Sequence, residues 1–243
     1  MPGLYRDEGI VLKTIKLGEA DRIVTFFTRY NGKLRAVAKG VRKTKSRFGG
    51  RVEPFTRVQL MLYRGRGDLD TITQVDILTS FKEVRGEYPR LVSASALAEV
   101  VEKITADREQ APSTYALLLG ALESLANGGG ATVVPAFLIK LLSVSGYHPQ
   151  LSVCAGCGDG RALAVFSPAL GGAACHSCWE EDRDATPLES DRMALLARLL
   201  SAEFGQAADA QATLDITQAL RRYAEYHIER PLKSLQMLAA HGS

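Results

Sequence analysis

Three observations predict an α+β fold for this chain. The front third alternates apolar and polar residues with the two-residue period of strands. From about residue 83 the apolar spacing widens to roughly 3.6, the period of helices. Between positions 154 and 178, four cysteines fall in two close pairs. The architecture expected is an N-terminal five-stranded β-barrel followed by an α-helical domain into which a four-cysteine module is inserted. The expected boundaries are 1–82 for the barrel, 83–150 for the first helical part, 151–182 for the cysteine module and 183–243 for the C-terminal helical part.

The barrel rests on five segments, roughly Leu4–Leu17, Asp21–Thr28, Lys33–Lys39, Arg57–Tyr63 and Leu69–Thr79. Gly18-Glu19, Asn31-Gly32 and Gly65-Arg66-Gly67-Asp68 supply turns between them. Asn-Gly is a strong hairpin signal because both residues tolerate positive φ. Five short strands with a longer connection after the third suit a small Greek-key barrel of the OB type.

The long connection is where the charge gathers. From Lys33 to Arg51 there are eight basic residues and no acidic one: Lys33, Arg35, Lys39, Arg42, Lys43, Lys45, Arg47 and Arg51. Leu34, Ala36 and Ala38 alternate with Lys33, Arg35, Val37 and Lys39, as in a strand with one apolar face. Gly40 then breaks the pattern, and 42–51 reads as a loop. Such a track of cations suits a phosphodiester backbone. A charged edge strand that discourages aggregation would look similar. The charge distribution favours the first reading. Residues 1–82 carry 17 Lys/Arg against 8 Asp/Glu, or +9, and residues 83–243 carry 13 against 19, or −6. Phe48 lies within the loop and Phe55 at its end. An exposed Phe48 would stack on a base, and a buried one would belong to the barrel core; Phe55 reads as core.

Helical stripes follow. Leu91, Ala94, Leu97, Ala98, Val101 and Ile104 share one face, and Tyr115, Leu118, Leu119, Leu122 and Leu125 another. Pro112-Ser113 starts the second of these helices. A third stripe comprises Phe137, Leu138, Leu141, Leu142 and Val144. In the tail, Pro187 and Ser190 open a helix through Met193, Leu196 and Leu199, and a last pattern runs from Leu214 to His227. Arg221, Arg222, Arg230 and Lys233 form a second, smaller basic group, read mainly as solvated helix ends.

Cys154-x-x-Cys157 and Cys175-x-x-Cys178 have the spacing of a four-thiolate zinc site. One Zn2+ per chain is expected, structural because four protein ligands close its coordination sphere. Gly158 permits positive φ after the first pair, and Phe166 is expected to pack beneath the site. His176 is set aside as a ligand, since Cys175 already occupies that geometry.

Composition excludes several classes. No apolar run approaches the roughly 20 residues of a membrane-spanning helix, and the first residues lead straight into charge, so no signal peptide is expected. Paired cysteines of this kind fit a reducing cytosol. No nucleophile–base set, carboxylate pair or nucleotide loop stands out, so no enzyme is expected.

These residues also carry a family likeness. The front reads EGIVLKTIKLGEADRIVTFFT and NGKLRAVAKGVRKTKSRFGG, the cysteine region CAGCG and FSPALGGAACHSC, the tail YHIERPLKSLQML. Over nearly its whole length the chain resembles the RecO family of bacterial DNA-repair proteins, in the version that keeps the cysteines. The resemblance implies sequence-independent binding of single- and double-stranded DNA, annealing of complementary strands and recombination mediation. It implies work with RecR, and often RecF, to help RecA replace single-strand-binding protein (SSB), whose acidic C-terminal tail the family binds. It implies a cytoplasmic, nucleoid-associated location. Carried over by position, the DNA role falls on Lys39, Arg42, Lys43, Lys45 and Arg47, and the metal role on Cys154, Cys157, Cys175 and Cys178. The competing readings are a zinc-ribbon adaptor in transcription or translation, whose basic loop touches RNA, and a nuclease, which would need clustered carboxylates where these are scattered.

Overall fold

The computed structural model describes residues 3–42, 48–160, 163–179 and 182–240. Its chain forms two compact units, Met1–Leu122 and Glu123–Ser243.

The first unit is built on β1 (Gly3–Leu17), β2 (Asp21–Thr28), β3 (Gly32–Ala38), β4 (Arg57–Arg64) and β5 (Asp70–Thr79). They close into a barrel in the order β1-β2-β3-β5-β4. Neighbours are antiparallel except β3 and β5, which run parallel. This is the OB-like barrel that the alternation predicts. Inward residues such as Val24, Phe26, Leu34, Ala36, Leu60, Leu62 and Ile72 make one buried cluster. Each fully buried side chain of this size contributes about 1.5–3 kcal/mol of transfer free energy.

Buried Asp7 ties the β2–β3 turn down. Its carboxylate accepts from the amides of Glu8 (2.8 Å) and Tyr30 (3.2 Å) and from the Asn31 side chain (2.7 Å). Gly32 follows with φ +61°, and a Cβ there would lie 1.8 Å from the carbonyl oxygen of Glu109. The Asn-Gly signal therefore reflects both a turn and a close chain approach.

Three helices come next: α1 (Lys82–Gly86), α2 (Tyr88–Ile104) and α3 (Pro112–Ala126). Helix α2 and the α3 residues up to Leu122 fall in the same compact unit as the barrel, and polar ties explain why. Lys13 pairs with Glu102. Tyr115 donates to Glu8 at 2.7 Å, and Arg57 donates to the same carboxylate at 2.7 Å. Burial opposes ionisation of Glu8, but these donors outweigh it and hold the carboxyl below its ordinary value. Asp70, fully buried, accepts from Tyr5 Oη and from Arg108 Nη2, the latter at 2.9 Å. Burial and then the Asp70 charge push the Tyr5 phenol up to about 12.

The second unit contains α4 (Val133–Val144), β6 (Leu163–Ser167), β7 (Gly172–Cys175), β8 (Thr186–Pro187), α5 (Ser190–Ser201), α6 (Ala210–Ile228) and α7 (Lys233–Ala240). Helix α4 packs against α5 and α6 and buries every residue from Val133 to Ile139. It is apolar all round, so a single stripe understates its burial. Val144, assigned to that stripe, is instead 51% exposed at the helix end. Lys140 Nζ donates to the carbonyls of Leu200 (2.8 Å) and Ala202 (2.7 Å), which satisfies acceptors left open where α5 ends. Asp209 caps α6, accepting from the Ala212 amide at 2.9 Å. Strands β6 and β7 form an antiparallel hairpin, and β8 adds to its other edge.

Candidate nucleic-acid interface and metal centre

β3 carries the first part of the basic track. Leu34, Ala36 and Ala38 are buried, and Arg35 and Lys39 point out and are exposed. Arg42 is exposed too, and its Nη1 donates to the Gly18 carbonyl at 3.2 Å. Arg51 is exposed in a short 3-10 turn, Gly49–Val52. Lys43, Lys45 and Arg47 lie outside the described residues.

Two expected members of the interface are used otherwise. Lys33 donates to the carbonyls of Glu102 and Thr105, each at 2.6 Å, and pairs with Asp107 at 3.2 Å. Its side chain is only 12% exposed, and these three acceptors match its three ammonium protons. It anchors the barrel to the chain after α2 and leaves no donor for phosphate. Phe48 is 1% exposed and belongs to the barrel core with Val41 and Val52. Apolar burial outweighs the exposure suggested by its Arg and Gly neighbours, and a ring so enclosed cannot stack on a base. Phe55 is buried as expected. The exposed barrel aromatics among the described residues are Tyr30 and Tyr63. The signal for Tyr63 was the alternation of Gln59, Met61 and Tyr63 along the outer face of β4.

The tail basics divide. Arg221 is paired with Glu225 at 2.7 Å, one helical turn away. Arg222, Arg230 and Lys233 are exposed.

The four cysteines come together. The sulfurs of Cys154, Cys157, Cys175 and Cys178 all lie within 4.8 Å of one another, and Cys157 and Cys175 are 3.8 Å apart. Tetrahedral zinc with Zn–S bonds of about 2.3 Å needs sulfur–sulfur edges of about 3.8 Å, so the donor set fits such an ion. Local folding places them. Ala155 N donates to Ala173 O at 2.8 Å, which docks the first Cys-x-x-Cys turn on the hairpin. Gly158 takes φ +78° after that turn, as expected. Cys175 N donates to the Cys154 sulfur at 3.4 Å.

Backbone N–H groups of Cys157 and Cys175 lower the Cys154 thiol to about 6 against the opposing effect of burial. The surrounding sulfurs raise Cys178 to about 12. Four ionised thiolates this close repel one another unless a cation neutralises them, so metal binding and local folding are coupled. His176 stays outside the cluster: its Nδ1 accepts from Trp179 Nε1 at 3.0 Å. Val165, Ala174 and Ala185 are buried with Cys154, and Leu163, Leu170 and Trp179 pack against them. Phe166, expected there, follows Val165 and faces the other side of the strand, where its ring meets Tyr223 at 5.1 Å.

A closed five-stranded barrel with outward cations, in a chain that also gathers four cysteine sulfurs, defines an OB-barrel protein with a candidate metal centre. Comparison with known proteins narrows this. Residues 1–81 match the family model for the recombination protein O N terminal domain, and residues 85–236 match that for its C terminal domain. The chain is 42% identical over 242 residues to the DNA repair protein RecO of Nocardioides sp., covering 96% of this chain and 98% of that protein. It is 42% identical to the DNA repair protein RecO of Frankia casuarinae (97% and 98% covered) and 41% identical to that of Thermobifida fusca (97% and 98%). The chain belongs to the RecO family. Among the described residues, no helix is long and apolar enough to cross a membrane.

Proposed function

We propose that this chain is a non-enzymatic recombination mediator in DNA repair. It binds single- and double-stranded DNA without reading sequence and anneals complementary strands. With RecR, and with RecF as a further partner, it helps load RecA onto strands coated by SSB, whose C-terminal tail it binds. Its working place is the cytoplasm, at the nucleoid during repair. A single Zn2+ on the four cysteines braces the second unit.

The observation that supports this most is exposed Arg35 on β3 and exposed Lys39 in the turn just after it, both on a closed barrel at the basic end of the chain. Cations placed there neutralise phosphates and release counterions, a sequence-independent interaction. Two strands neutralised in this way repel each other less, and annealing follows. Membership of a family named for recombination and DNA repair supports the same reading.

The test is salt-dependent binding together with annealing of SSB-coated strands. About five cations on a single strand give a log–log salt slope of about −3.5. Charge reversal at Arg42, Lys43 and Lys45 is expected to weaken binding alike for all sequences. Unchanged affinity rejects the loop assignment. Absence of annealing, with tight RNA binding, favours an RNA adaptor instead.

A further inference from the structure

The four sulfur-bearing residues are not equally covered. Cys154 is 1% exposed and sits among Val165, Ala174 and Ala185. Cys175 and Cys178 are half-buried against the same cluster. Cys157 is exposed. Its two neighbours account for the difference. Neither Gly156 nor Gly158 has a side chain to shield it. A Cβ at Gly156 would lie 3.0 Å from Cys178 Cβ and 3.1 Å from its sulfur, so close approach of the two turns requires glycine there. Gly158 takes φ +78° and faces open space where a Cβ would stand.

The rest of the module is pinned. Cys154 N donates to Asp159 O at 2.7 Å, Ala155 N to Ala173 O at 2.8 Å, and Gln150 N to Gly171 O at 3.0 Å. Cys157 thus stands at the open edge of a fixed frame. The Cys175 sulfur, from the second pair, is 3.8 Å from the Cys157 sulfur, a gap that rotation of the two side chains can close. An accessible thiolate beside a second one is the arrangement that a small oxidant attacks and a neighbouring sulfur resolves.

We propose that Cys157 is an oxidation site, where a peroxide forms a Cys157–Cys175 disulfide and takes the metal centre apart. The proposal rests on the zinc reading above and adds the chemistry that undoes it. The Cys157 thiolate attacks one oxygen of hydrogen peroxide and the O–O bond breaks. Sulfur keeps that hydroxyl as a sulfenic acid, and the other leaves as hydroxide, which a proton converts to water. The Cys175 thiolate then attacks the sulfenic sulfur. The S–S bond forms, and the hydroxyl leaves and is protonated to a second water. Two thiolates, one peroxide and two protons give one disulfide and two waters; the sulfurs lose two electrons and the peroxide gains them. Cys154 and Cys178 then remain, two donors where a closed structural site uses four. The second unit loses its brace under oxidation and regains it on reduction.

The experiment treats the full chain, assayed for zinc as purified, with hydrogen peroxide. Zinc release is read with a colorimetric chelator, and disulfides are mapped by mass spectrometry. Trp179, the single tryptophan of the chain, packs against the cysteine cluster and reports by its fluorescence. One zinc should leave for each Cys157–Cys175 disulfide formed, with a change in Trp179 emission and a lower thermal midpoint. A thiol reductant with added zinc should restore both. Cys157→His keeps a fourth ligand, since three cysteines and a histidine also make a structural zinc site. It should keep its zinc through a peroxide dose that empties wild type. Cys178→His retains Cys157 and should release zinc as wild type does. Dimedone present during a brief peroxide pulse should label Cys157 in wild type, an arm that needs no variant should Cys157→His not fold. Zinc retained by peroxide-treated wild type, equal release from Cys157→His, dimedone on another cysteine, or a different disulfide overturns the oxidation site and leaves the zinc reading standing. Protein that contains no zinc as purified overturns the zinc reading and the inference with it.

Discussion

Lys33 Nζ lies 3.2 Å from Asp107 Oδ1, and it also donates to the Glu102 and Thr105 carbonyls, each at 2.6 Å. A residue that opens the basic track is thus spent on holding the barrel to the segment after α2. Lys33→Met would remove the charge but keep most of the apolar stem. It would leave two carbonyls and a carboxylate without their donor, at a cost of about 1–3 kcal/mol. The expected result is a lower urea midpoint with an unchanged log–log salt slope for DNA. Lys39→Met should do the reverse, making the slope shallower by about 0.7 for one lost single-strand contact with little change in midpoint. A Lys33→Met slope that shifts as much as that of Lys39→Met would return Lys33 to the DNA surface.

That contrast shows what was legible. Alternation along a strand is local, so the limits of all five barrel strands could be read to within about one residue, and the exposure of Arg35 and Lys39 with them. The partners of Lys33 could not, because Asp107 lies far along the chain and only folding brings it near. Phe48 was ambiguous for a related reason. Its flanking Arg47 and Gly49 describe a loop, but loop residues with large apolar side chains fold back onto the core when space allows. The cysteine spacing foretold that the four sulfurs gather within 4.8 Å of one another, since two short Cys-x-x-Cys turns can each offer two ligands to one point. The packing around it was not: Val165 and Phe166 are adjacent apolar residues, and only the pleat decides which meets the sulfurs.

Gly32 provides a sharp test of the turn. Its φ is +61°, and an added Cβ would fall 1.8 Å from the Glu109 carbonyl oxygen. Gly32→Ala therefore meets backbone strain and a backbone clash at once. Strain alone is of order 1–3 kcal/mol, and the clash adds to it. A drop in thermal midpoint, or loss of soluble protein, is expected. A variant as stable as wild type would mean that the 107–109 segment does not approach the turn.

The metal centre predicts a separation of effects. Freshly purified protein should contain one zinc per chain by elemental analysis. Cys154→Ser or Cys175→Ser should lower solubility and stability more than it lowers the DNA affinity of whatever remains folded, because the cations lie on the barrel and the sulfurs in the second unit. Protein purified without chelator that contains no zinc would overturn the assignment.

His227 predicts how the second unit responds to acid. Its ring is enclosed by Tyr147, Tyr223 and Tyr226, with centroids at 5.0, 4.4 and 5.3 Å, and its Nε2 is buried with no hydrogen-bond partner. Burial among these rings disfavours the imidazolium and lowers the pKa below its ordinary value of 6.5. The folded state therefore holds the proton less tightly than the unfolded chain does. By linkage, the associated stability is fully present above about pH 6.5 and is lost as pH falls through the depressed folded value. His227→Phe keeps an aromatic ring in the cluster but removes the titration. Urea unfolding of both proteins at pH 7.5 and 5.5 isolates the effect, because carboxylates elsewhere contribute equally to each and cancel in the double difference. Wild type should lose more stability on acidification than His227→Phe does. Equal losses would show that the unfolded chain and the aromatic cluster bind this proton with the same affinity.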